Sequence, residues 1–418
     1  MAQFSDDHLP SSFNRLAWSN LAAQSAEQVA LAAAPIVAVL MLGVGEGQTG
    51  VLQTALTLPF ILFAIPAGLL ADRISRRALM ASAEALRAAA LLGILALIWL
   101  NLLTLPLLAL LGFAAVCGTV AYSVAAPALV PSLVPPKSLP AANARIELAR
   151  TIAFASGPAL GGVLVGWVGA APAFGFAATL SIAAVVLLAG IYEPVREPIR
   201  RAHPLQEIKE GAVFVFRHPL LRPVFVTQFV FGTAWFVVLA VFVPYAVRHL
   251  GLSASGIGAT LAMYGVGMVA GALVATRVMR KLQFGTVIAL GPVTGFVAAV
   301  VIALTTIVPS PWFAGFGFFL LGVGPILWVI STATLRQSVT PPRLLGRVSA
   351  INTLSYGARP VGAALGAVIG GLYGAEWCLY LAVVIFGTQA LVILMSPAVS
   401  LTRQPEMVTD GVHALRSC

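Results

Sequence analysis

Charged side chains are scarce in this sequence of 418 residues: Asp, Glu, Lys and Arg make up 9% of it, whereas 60% of it is hydrophobic. An ordinary soluble domain carries about 25% charged residues, and a single soluble core stops growing at about 250–300 residues. The shortage of charge therefore excludes a soluble enzyme and a disordered chain. What remains is a protein that crosses a membrane many times.

Cysteine and catalytic motifs are also lacking. The three cysteines, Cys117, Cys378 and Cys418, lie far apart without CxxC or zinc spacing, which excludes a disulfide scaffold and predicts no metal site. There is no Walker loop and hence no direct ATP drive. No HExxH motif occurs and no histidine lies inside an apolar run, except at an edge, which argues against an intramembrane hydrolase. We expect no cofactor and no enzymatic activity.

Long apolar runs fill the chain instead. A spanning helix needs about 20 apolar residues, and the breaks between runs predict an all-α membrane protein with twelve transmembrane helices. The predicted spans are 17–43, 50–71, 78–100, 103–130, 143–168, 172–192, 222–247, 254–276, 284–307, 312–335, 347–374 and 376–397.

The basic residues fall on one side of these spans. Of 24 Lys and Arg, 19 lie in the tails and alternate loops, one (Arg248) lies in an opposite loop, and four lie inside spans. This is the positive-inside pattern, which predicts an inner (plasma) membrane protein with both termini cytoplasmic. The net charge of +10 is therefore a topology signal, and we expect no nucleic-acid binding.

A polar stretch near the midpoint separates two halves of six spans. Its second part reads as a short amphipathic helix on the inner membrane surface. We predict an N-terminal six-helix bundle, a cytoplasmic linker containing this helix, a C-terminal six-helix bundle and a cytoplasmic tail, over 1–192, 193–221, 222–397 and 398–418.

The halves share a repeat. GPALGGVLVGWVGA (157–170) aligns without gaps on GAALGAVIGGLYGA (362–375), with eight of fourteen positions identical. The repeat indicates a duplication in which span five corresponds to span eleven. Two such halves with a midplane site are typical of secondary transporters.

The loop after span two reads GLLADRISRR. Gly68 would permit close helix approach, and Asp72 is a lone acid that could lie against the N-terminus of another helix. Arg73, Arg76 and Arg77 would hold the loop at anionic lipid headgroups. The alternative is a solvated turn.

This loop, the twelve spans and the GPALGG run of span five together resemble the major facilitator superfamily, in its branch of siderophore and drug exporters. The resemblance implies two pseudo-symmetric six-helix bundles, a gate motif at the loop, and an exporter motif formed by Gly157, Pro158, Gly161 and Gly162. One departure is that residues 103–136 lack the span-four acid that often pairs with the loop arginines. The gate would then rest on Asp72 and the start of span eleven, near Leu345 to Val348.

Glu27 lies about 15 Å into span one, close to the middle of the bilayer, with Gln24 and Gln28 beside it. Desolvation favours the neutral form of such a carboxyl group, which suits proton coupling or recognition of a cationic group. The alternative is a structural hydrogen bond between helices.

Other charges also fall inside spans. Arg359 could neutralise Glu27, bind an anionic substrate or lie hydrated in a cavity. Arg150 lies three residues after Glu147, and the resemblance, which implies that span five flanks the cavity, gives Arg150 a possible role in gating. The similar spacing of Glu84 and Arg87, near the inner end of span three, favours a structural pair.

Further mid-span residues could line an amphipathic pocket for a bulky solute, although each could instead be a packing group. They are Gln53, Thr57, Tyr122, Gln228, Trp235, Tyr264, Trp328 and Tyr356.

We therefore expect a monomeric secondary transporter that exports an amphipathic small molecule, such as a drug, siderophore or metabolite, in exchange for protons by alternating access. Two alternatives remain: a proton-coupled importer of the same fold, and a non-transporting membrane sensor or assembly protein.

Overall fold

The computed structural model describes residues 10–135, 138–193, 204–341 and 344–405, and these residues form helices without any β-strand. The first seven helices are α1 (Ser11–Leu42), α2 (Glu46–Thr57), α3 (Pro59–Arg73), α4 (Arg76–Trp99), α5 (Leu105–Leu133), α6 (Leu139–Val163) and α7 (Ala170–Ala189). The next eight are α8 (Pro204–Arg217), α9 (Leu221–Arg248), α10 (Ala254–Lys281), α11 (Phe284–Leu304), α12 (Pro311–Val339), α13 (Leu345–Leu354), α14 (Ala358–Tyr373) and α15 (Ala375–Leu394).

The prediction of an all-α membrane protein is confirmed. Among the described residues, ten helices are long and apolar enough to cross a membrane, and they coincide with ten of the predicted spans. The other two predicted spans, 50–71 and 347–374, are each interrupted. The count of twelve is therefore not confirmed as twelve continuous helices.

Proline accounts for both interruptions. One lies at Leu58, directly before Pro59, and the other is a single 3₁₀ turn, Ser355–Gly357, shortly before Pro360. Proline has no N–H to donate to the preceding turn, and its ring crowds the carbonyl group of that turn. Leu58 itself keeps helical dihedral angles, with φ −56° and ψ −35°. The apolar pattern continues across each break, which is why hydropathy alone predicted one helix in each place.

The chain divides into two compact units. The N-terminal unit comprises residues 1–45, 55–198 and 252–262, and the C-terminal unit comprises residues 46–54, 199–251 and 263–418. Both units thus include a short segment from the opposite half of the sequence. The predicted bundle boundaries stay a prediction, and residues 194–203 of the predicted linker lie outside the described residues.

The sequence repeat corresponds to a repeated helix contact. In the N-terminal unit α6 lies against α1, where a Cβ placed on Gly157 would be 2.3 Å from the Cβ of Gln28. In the C-terminal unit α14 lies against α9, where a Cβ on Gly362 would be 2.2 Å from the carbonyl oxygen of Thr233. Aligned glycines therefore serve the same purpose in both halves, which supports the duplication.

A helix occupies the end of the polar stretch at mid-chain. This helix, α8, lies against α13, where Glu210 forms an ion pair with Arg347. Val215 of α8 is buried with Val348 and Ile351 of α13.

His218 joins α8 to α9 and makes this connection sensitive to pH. Its Nδ1 accepts hydrogen bonds from the backbone N–H groups of Leu220 and Leu221, at 3.2 and 3.4 Å. Burial lowers the pKa of His218 below its ordinary value of 6.5. The contribution of the neutral ring to stability is therefore complete above pH 6.5 and is lost as the pH falls through the folded-state pKa.

We therefore expect the amides of Leu220 and Leu221 to lose protection in acid. Hydrogen–deuterium exchange, divided at each pH by the intrinsic exchange rate of an unstructured amide, measures this protection. His218→Phe keeps a ring beside Phe214, which lies 5.6 Å away, but cannot titrate. This variant should lack the acid effect. The same loss of protection in His218→Phe would contradict the assignment.

Candidate functional site

A partly open cavity lies in the N-terminal unit and is lined by residues of helices α1, α2, α4, α5 and α7. Most of its lining is apolar, and its polar side chains are those of Glu27, Arg87 and Thr119. Glu27 of α1 and Arg87 of α4 therefore face the same space. An apolar cavity with a few convergent polar groups is the usual form of a ligand or ion site.

Arg87 joins three helices at this cavity. Its Nη1 donates to Glu84 Oε1 at 2.5 Å and to the carbonyl oxygen of Ala23 at 3.1 Å, and its Nη2 donates to Thr119 Oγ1 at 2.7 Å. The side chains of Arg87 and Glu84 are only 3% and 0% exposed. The predicted pairing of these two residues is present in the structure, but the pair lies in the core beside Glu27.

Further polar groups lie close to this pair. Ser19 of α1 meets the hydroxyl of Tyr122 at 3.3 Å and donates to the carbonyl oxygen of Ala184 at 3.3 Å. Ser181 of α7 faces Glu84. The core of the N-terminal unit therefore holds a polar network that reaches from α1 through α4 and α5 to α7.

The sequence interpretation missed Arg87, Thr119 and Ser181 as site residues. Arg87 was visible as a charge inside a span but was interpreted as half of a structural pair near its inner end. Helix α4 begins at Arg76, which puts Arg87 about 16 Å along it. Thr119 and Ser181 carry no signal of their own, because a hydroxyl group in a spanning helix usually bonds to its own backbone.

The two glutamines beside Glu27 differ in burial. Gln28 is 8% exposed and lies under α6, whereas Gln24 is half-buried. Neither lines the cavity, so their predicted part in proton or substrate binding stays a prediction.

The glycines of the predicted exporter motif bring α6 against its neighbours. Gly157 and Gly161 lie against α1 at Gln28 and Val29, next to Glu27. Gly162 lies against Gly258, in the part of α10 that belongs to the N-terminal unit. A Cβ placed on Gly162 would be 2.6 Å from the Gly258 Cα. Pro158 lies in the same turn of α6. The motif thus fixes α1 at the residues that flank its buried carboxyl group.

Gly157→Ala tests this contact. The new methyl group would lie 2.3 Å from Gln28 Cβ and 3.2 Å from the Gln28 carbonyl carbon, and neither atom can swing away. We expect a loss of about 1–3 kcal/mol, the usual cost of overpacking, measured as a lower unfolding temperature in detergent. Gly346→Ala is the matched control, because nothing lies within 4 Å of its Cβ. Equal stability of the two variants would contradict the close approach.

The loop after span two is fixed by an acid from the end of α7. Glu193, just beyond α7, accepts hydrogen bonds from Ser75 Oγ at 2.6 Å and from the backbone N–H groups of Arg76 and Arg77 at 3.2 and 3.0 Å. The two N–H groups belong to the first turn of α4, where the helix itself supplies no acceptor for them and a carboxylate is favoured. Glu193 therefore supplies a negative charge to the loop in the absence of an acid from span four.

The loop arginines mostly bind protein. Arg76 donates to the carbonyl oxygen of Ala128, and Arg77 donates to that of Ile191 at 3.1 Å. Arg73 is exposed. Arg76 and Arg77 thus bind backbone carbonyl oxygens, and the expectation that the three arginines lie at lipid headgroups stays a prediction. The surroundings of Gly68 and of the Asp72 side chain are not among the features that the structure describes. The predicted gate with span eleven therefore stays a prediction.

Glu193→Ala should loosen the first turn of α4. Loss of a helix cap costs about 0.5–2 kcal/mol, and about 1 kcal/mol corresponds to roughly fivefold faster amide exchange at Arg76 and Arg77. Hydrogen–deuterium exchange at these amides checks this. Glu147→Ala removes an exposed acid of the same unit and should leave their exchange unchanged. Unchanged exchange in Glu193→Ala would disprove the cap.

The other predicted charges have partners close by. Arg150 lies on Glu147, with Nε–Oε distances of 3.0 and 3.1 Å, and the pair is exposed. In the C-terminal unit the guanidinium of Arg359 lies 4.3 Å from the ring of Tyr356 and 5.7 Å from that of Phe236. The predicted roles of Arg150 and Arg359 stay predictions.

The eight predicted pocket residues are divided between the units, and none lines the described cavity. Thr57 and Tyr122 are buried in the N-terminal unit, and Gln53 and Trp328 are buried in the C-terminal unit. The remaining four belong to the C-terminal unit, where Trp235 stacks on Tyr264 at 4.7 Å, Gln228 is half-buried and Tyr356 is exposed. The pocket stays a prediction.

Many apolar helices around a buried polar site define a multi-pass membrane transporter. The family model of the Major Facilitator Superfamily matches residues 16–360. The chain therefore belongs to this superfamily, and its substrate is a small molecule.

Comparison with curated proteins gives exporters among the relatives. The enterobactin exporter EntS of Citrobacter koseri is 28% identical over 82% of this chain and 82% of its own. The multidrug efflux pump Tap of Mycobacterium bovis is 27% identical over 90% of this chain and 91% of its own. An MFS-type transporter of Sinorhizobium fredii, y4rN, is 31% identical over 58% of this chain but only 60% of its own length.

Solved structures agree on the fold. A crystal structure of a POT family transporter in complex with 5-aminolevulinic acid matches with a TM-score of 0.76, covering 96% of this chain and 99% of that one, at 12% identity. At this identity the likeness shows the fold alone. The predicted major facilitator fold is therefore confirmed.

Proposed function

We propose that this transporter exports an amphipathic small molecule, such as a drug, siderophore or metabolite, in exchange for protons by alternating access. We place it in the inner (plasma) membrane, as a monomer with both termini cytoplasmic. The observation that carries the proposal is the cavity of the N-terminal unit, in which Glu27 and Arg87 face the same apolar space. The exporting relatives EntS and Tap support the direction.

Glu27 is the proposed proton carrier. Glu27 is neither wholly buried nor exposed, so a proton can reach it from the cavity that it lines. Each proton that returns down a potential of 100 mV supplies about 2.3 kcal/mol, to which a pH gradient adds. The proton gradient is the proposed energy source for export, because the sequence contains no Walker loop for ATP.

The scarcity of fixed charge favours an amphipathic solute. The cavity is lined by apolar side chains, with Glu27, Arg87 and Thr119 as its polar lining residues, whereas a sugar would need many hydrogen-bonding groups. Relatives named as an enterobactin exporter and as a multidrug efflux pump support a solute of the siderophore or drug class.

Uptake into everted membrane vesicles tests the proposal. Vesicles with an acidic lumen should accumulate enterobactin or a lipophilic dye such as ethidium, and a protonophore should abolish accumulation. Vesicles from cells without the protein are the control. Proton-driven accumulation in right-side-out vesicles alone would show an importer, and no flux of any solute in either orientation would favour a sensor or assembly protein.

A further inference from the structure

The buried ion pair of the N-terminal unit leaves polar atoms unsatisfied. Arg87 binds one carboxylate oxygen of Glu84, but the other, Oε2, has no hydrogen-bond partner in the part of the chain that the structure describes. The hydroxyl group of Ser181 on α7 faces Glu84, but no described atom lies within hydrogen-bond geometry of its Oγ. Both side chains are 0% exposed. Buried polar atoms are nearly always hydrogen-bonded in native proteins, so this arrangement needs a reason.

A role in stability alone does not explain why Glu84 and Arg87 are buried as an ion pair. Replacing a buried ion pair by apolar residues of similar volume is often neutral or stabilising, because desolvation of both charges offsets their attraction. A pair that served stability alone would also place both carboxylate oxygens in hydrogen bonds. Glu84 keeps one oxygen bound to Arg87 and holds the other beside the Ser181 hydroxyl group, which can donate to an ionised carboxylate and accept from a protonated carboxyl group.

The charged and titratable groups around Glu84 come from several helices. Arg87 lies on its own helix, and Tyr122 faces it from α5. Helix α7 has no charged or titratable side chain and offers only the hydroxyl group of Ser181. On α1, Glu27 lines the cavity beside Arg87, and α3 carries its charges in its last turn. Arg87 is therefore the cation that both carboxyl groups, the buried Glu84 and the half-buried Glu27, can use.

We propose that Glu84 is a second proton-binding carboxyl group of the N-terminal unit, with Arg87 as the counter-ion that it shares with Glu27. An O–H bond forms at Glu84 Oε2 as an O–H bond of hydronium breaks, and the hydronium leaves as water. The new hydroxyl group donates to Ser181 Oγ. Arg87 keeps its proton throughout.

This protonation changes the charge of the cavity without a change at Glu27. With Glu84 ionised, the pair with Arg87 is neutral. With Glu84 protonated, the positive charge of Arg87 is unbalanced within the pair and acts on Glu27 across the shared cavity. A proton on Glu84 thus stabilises the ionised form of Glu27, which couples the two carboxyl groups. The proposal rests on the proposed proton coupling and adds a second site to it.

Infrared difference spectroscopy of the reconstituted protein tests the proposal without any transported solute. Between about pH 9 and about pH 5, the wild type should show buried carboxyl bands that Glu84→Gln and Glu27→Gln each reduce by one group. Ser181→Ala should shift the frequency of the Glu84 band, because it removes the acceptor. Glu376→Gln, an exposed acid beside His249 at 3.6 Å, should leave the buried bands unchanged.

An unchanged spectrum in Glu84→Gln would overturn the proposal and leave a structural pair. Should Glu84→Gln fail to fold, Ser181→Ala retains the carboxyl group and decides in the same way, since an unshifted band overturns the proposal. The spectra do not depend on export. If Glu84 titrates in a protein without proton-driven flux, the second site stands and the proposed function is refuted. If proton-driven flux occurs but Glu84 does not titrate, the proposed function stands and the second site is refuted.

Discussion

Glu27→Gln should abolish pH-driven transport while leaving the protein folded. Glutamine keeps the size and hydrogen-bonding capacity of the side chain but cannot release a proton, so the variant cannot use a proton gradient. Accumulation against a solute gradient should fall to the level of empty proteoliposomes. Exchange of labelled for unlabelled solute should continue, because it needs no net proton movement.

Two controls make this result specific. Glu376→Gln removes an exposed carboxyl group and should accumulate solute like the wild type. Unfolding temperature should show that Glu27→Gln is folded. Full proton-driven accumulation by Glu27→Gln would remove Glu27 from the mechanism.

Arg87→Met should destabilise the N-terminal unit severely. It leaves Glu84 without the cation that binds it at 2.5 Å, and breaking one partner of a buried pair costs about 3–5 kcal/mol. The double variant Glu84→Met with Arg87→Met removes both charges and should recover most of the lost stability. Thermal unfolding of the wild type and the two variants in one detergent measures these differences in free energy.

The exposed pair on α6 provides the control for burial. Glu147 and Arg150 have the same spacing as Glu84 and Arg87 but are 58% and 41% exposed. An exposed ion pair contributes about 0–1 kcal/mol, so Arg150→Met should cost little. If Arg87→Met were as mild as Arg150→Met, or the double variant no more stable than Arg87→Met, the account of the buried pair would be wrong.

Hydropathy and charge were sufficient to predict the architecture, because a bilayer requires long apolar helices. The ends of α9, at Leu221 and Arg248, lie within a residue of the predicted span. The two interrupted spans were not predicted as such, since Pro59 and Pro360 break the helix without breaking the apolar run.

The candidate site was only partly predictable. Glu27 stood out because a carboxyl group at that depth is rare, and the structure places it at a cavity. The network around it depends on side chains from four helices, and nothing in the sequence pairs Arg87 with Thr119. The cap by Glu193 was missed for a related reason: its partners are mainly backbone N–H groups, which carry no residue identity.

Proton movement during transport tests the central claim most directly. Proteoliposomes that enclose a pH-sensitive dye would receive a gradient of a solute identified in the vesicle assay, with no pH gradient imposed. The account predicts that solute flux drives protons the opposite way, so that the lumenal pH changes in the wild type and stays constant in Glu27→Gln. Solute flux through the wild type without any change in lumenal pH would contradict proton-coupled export.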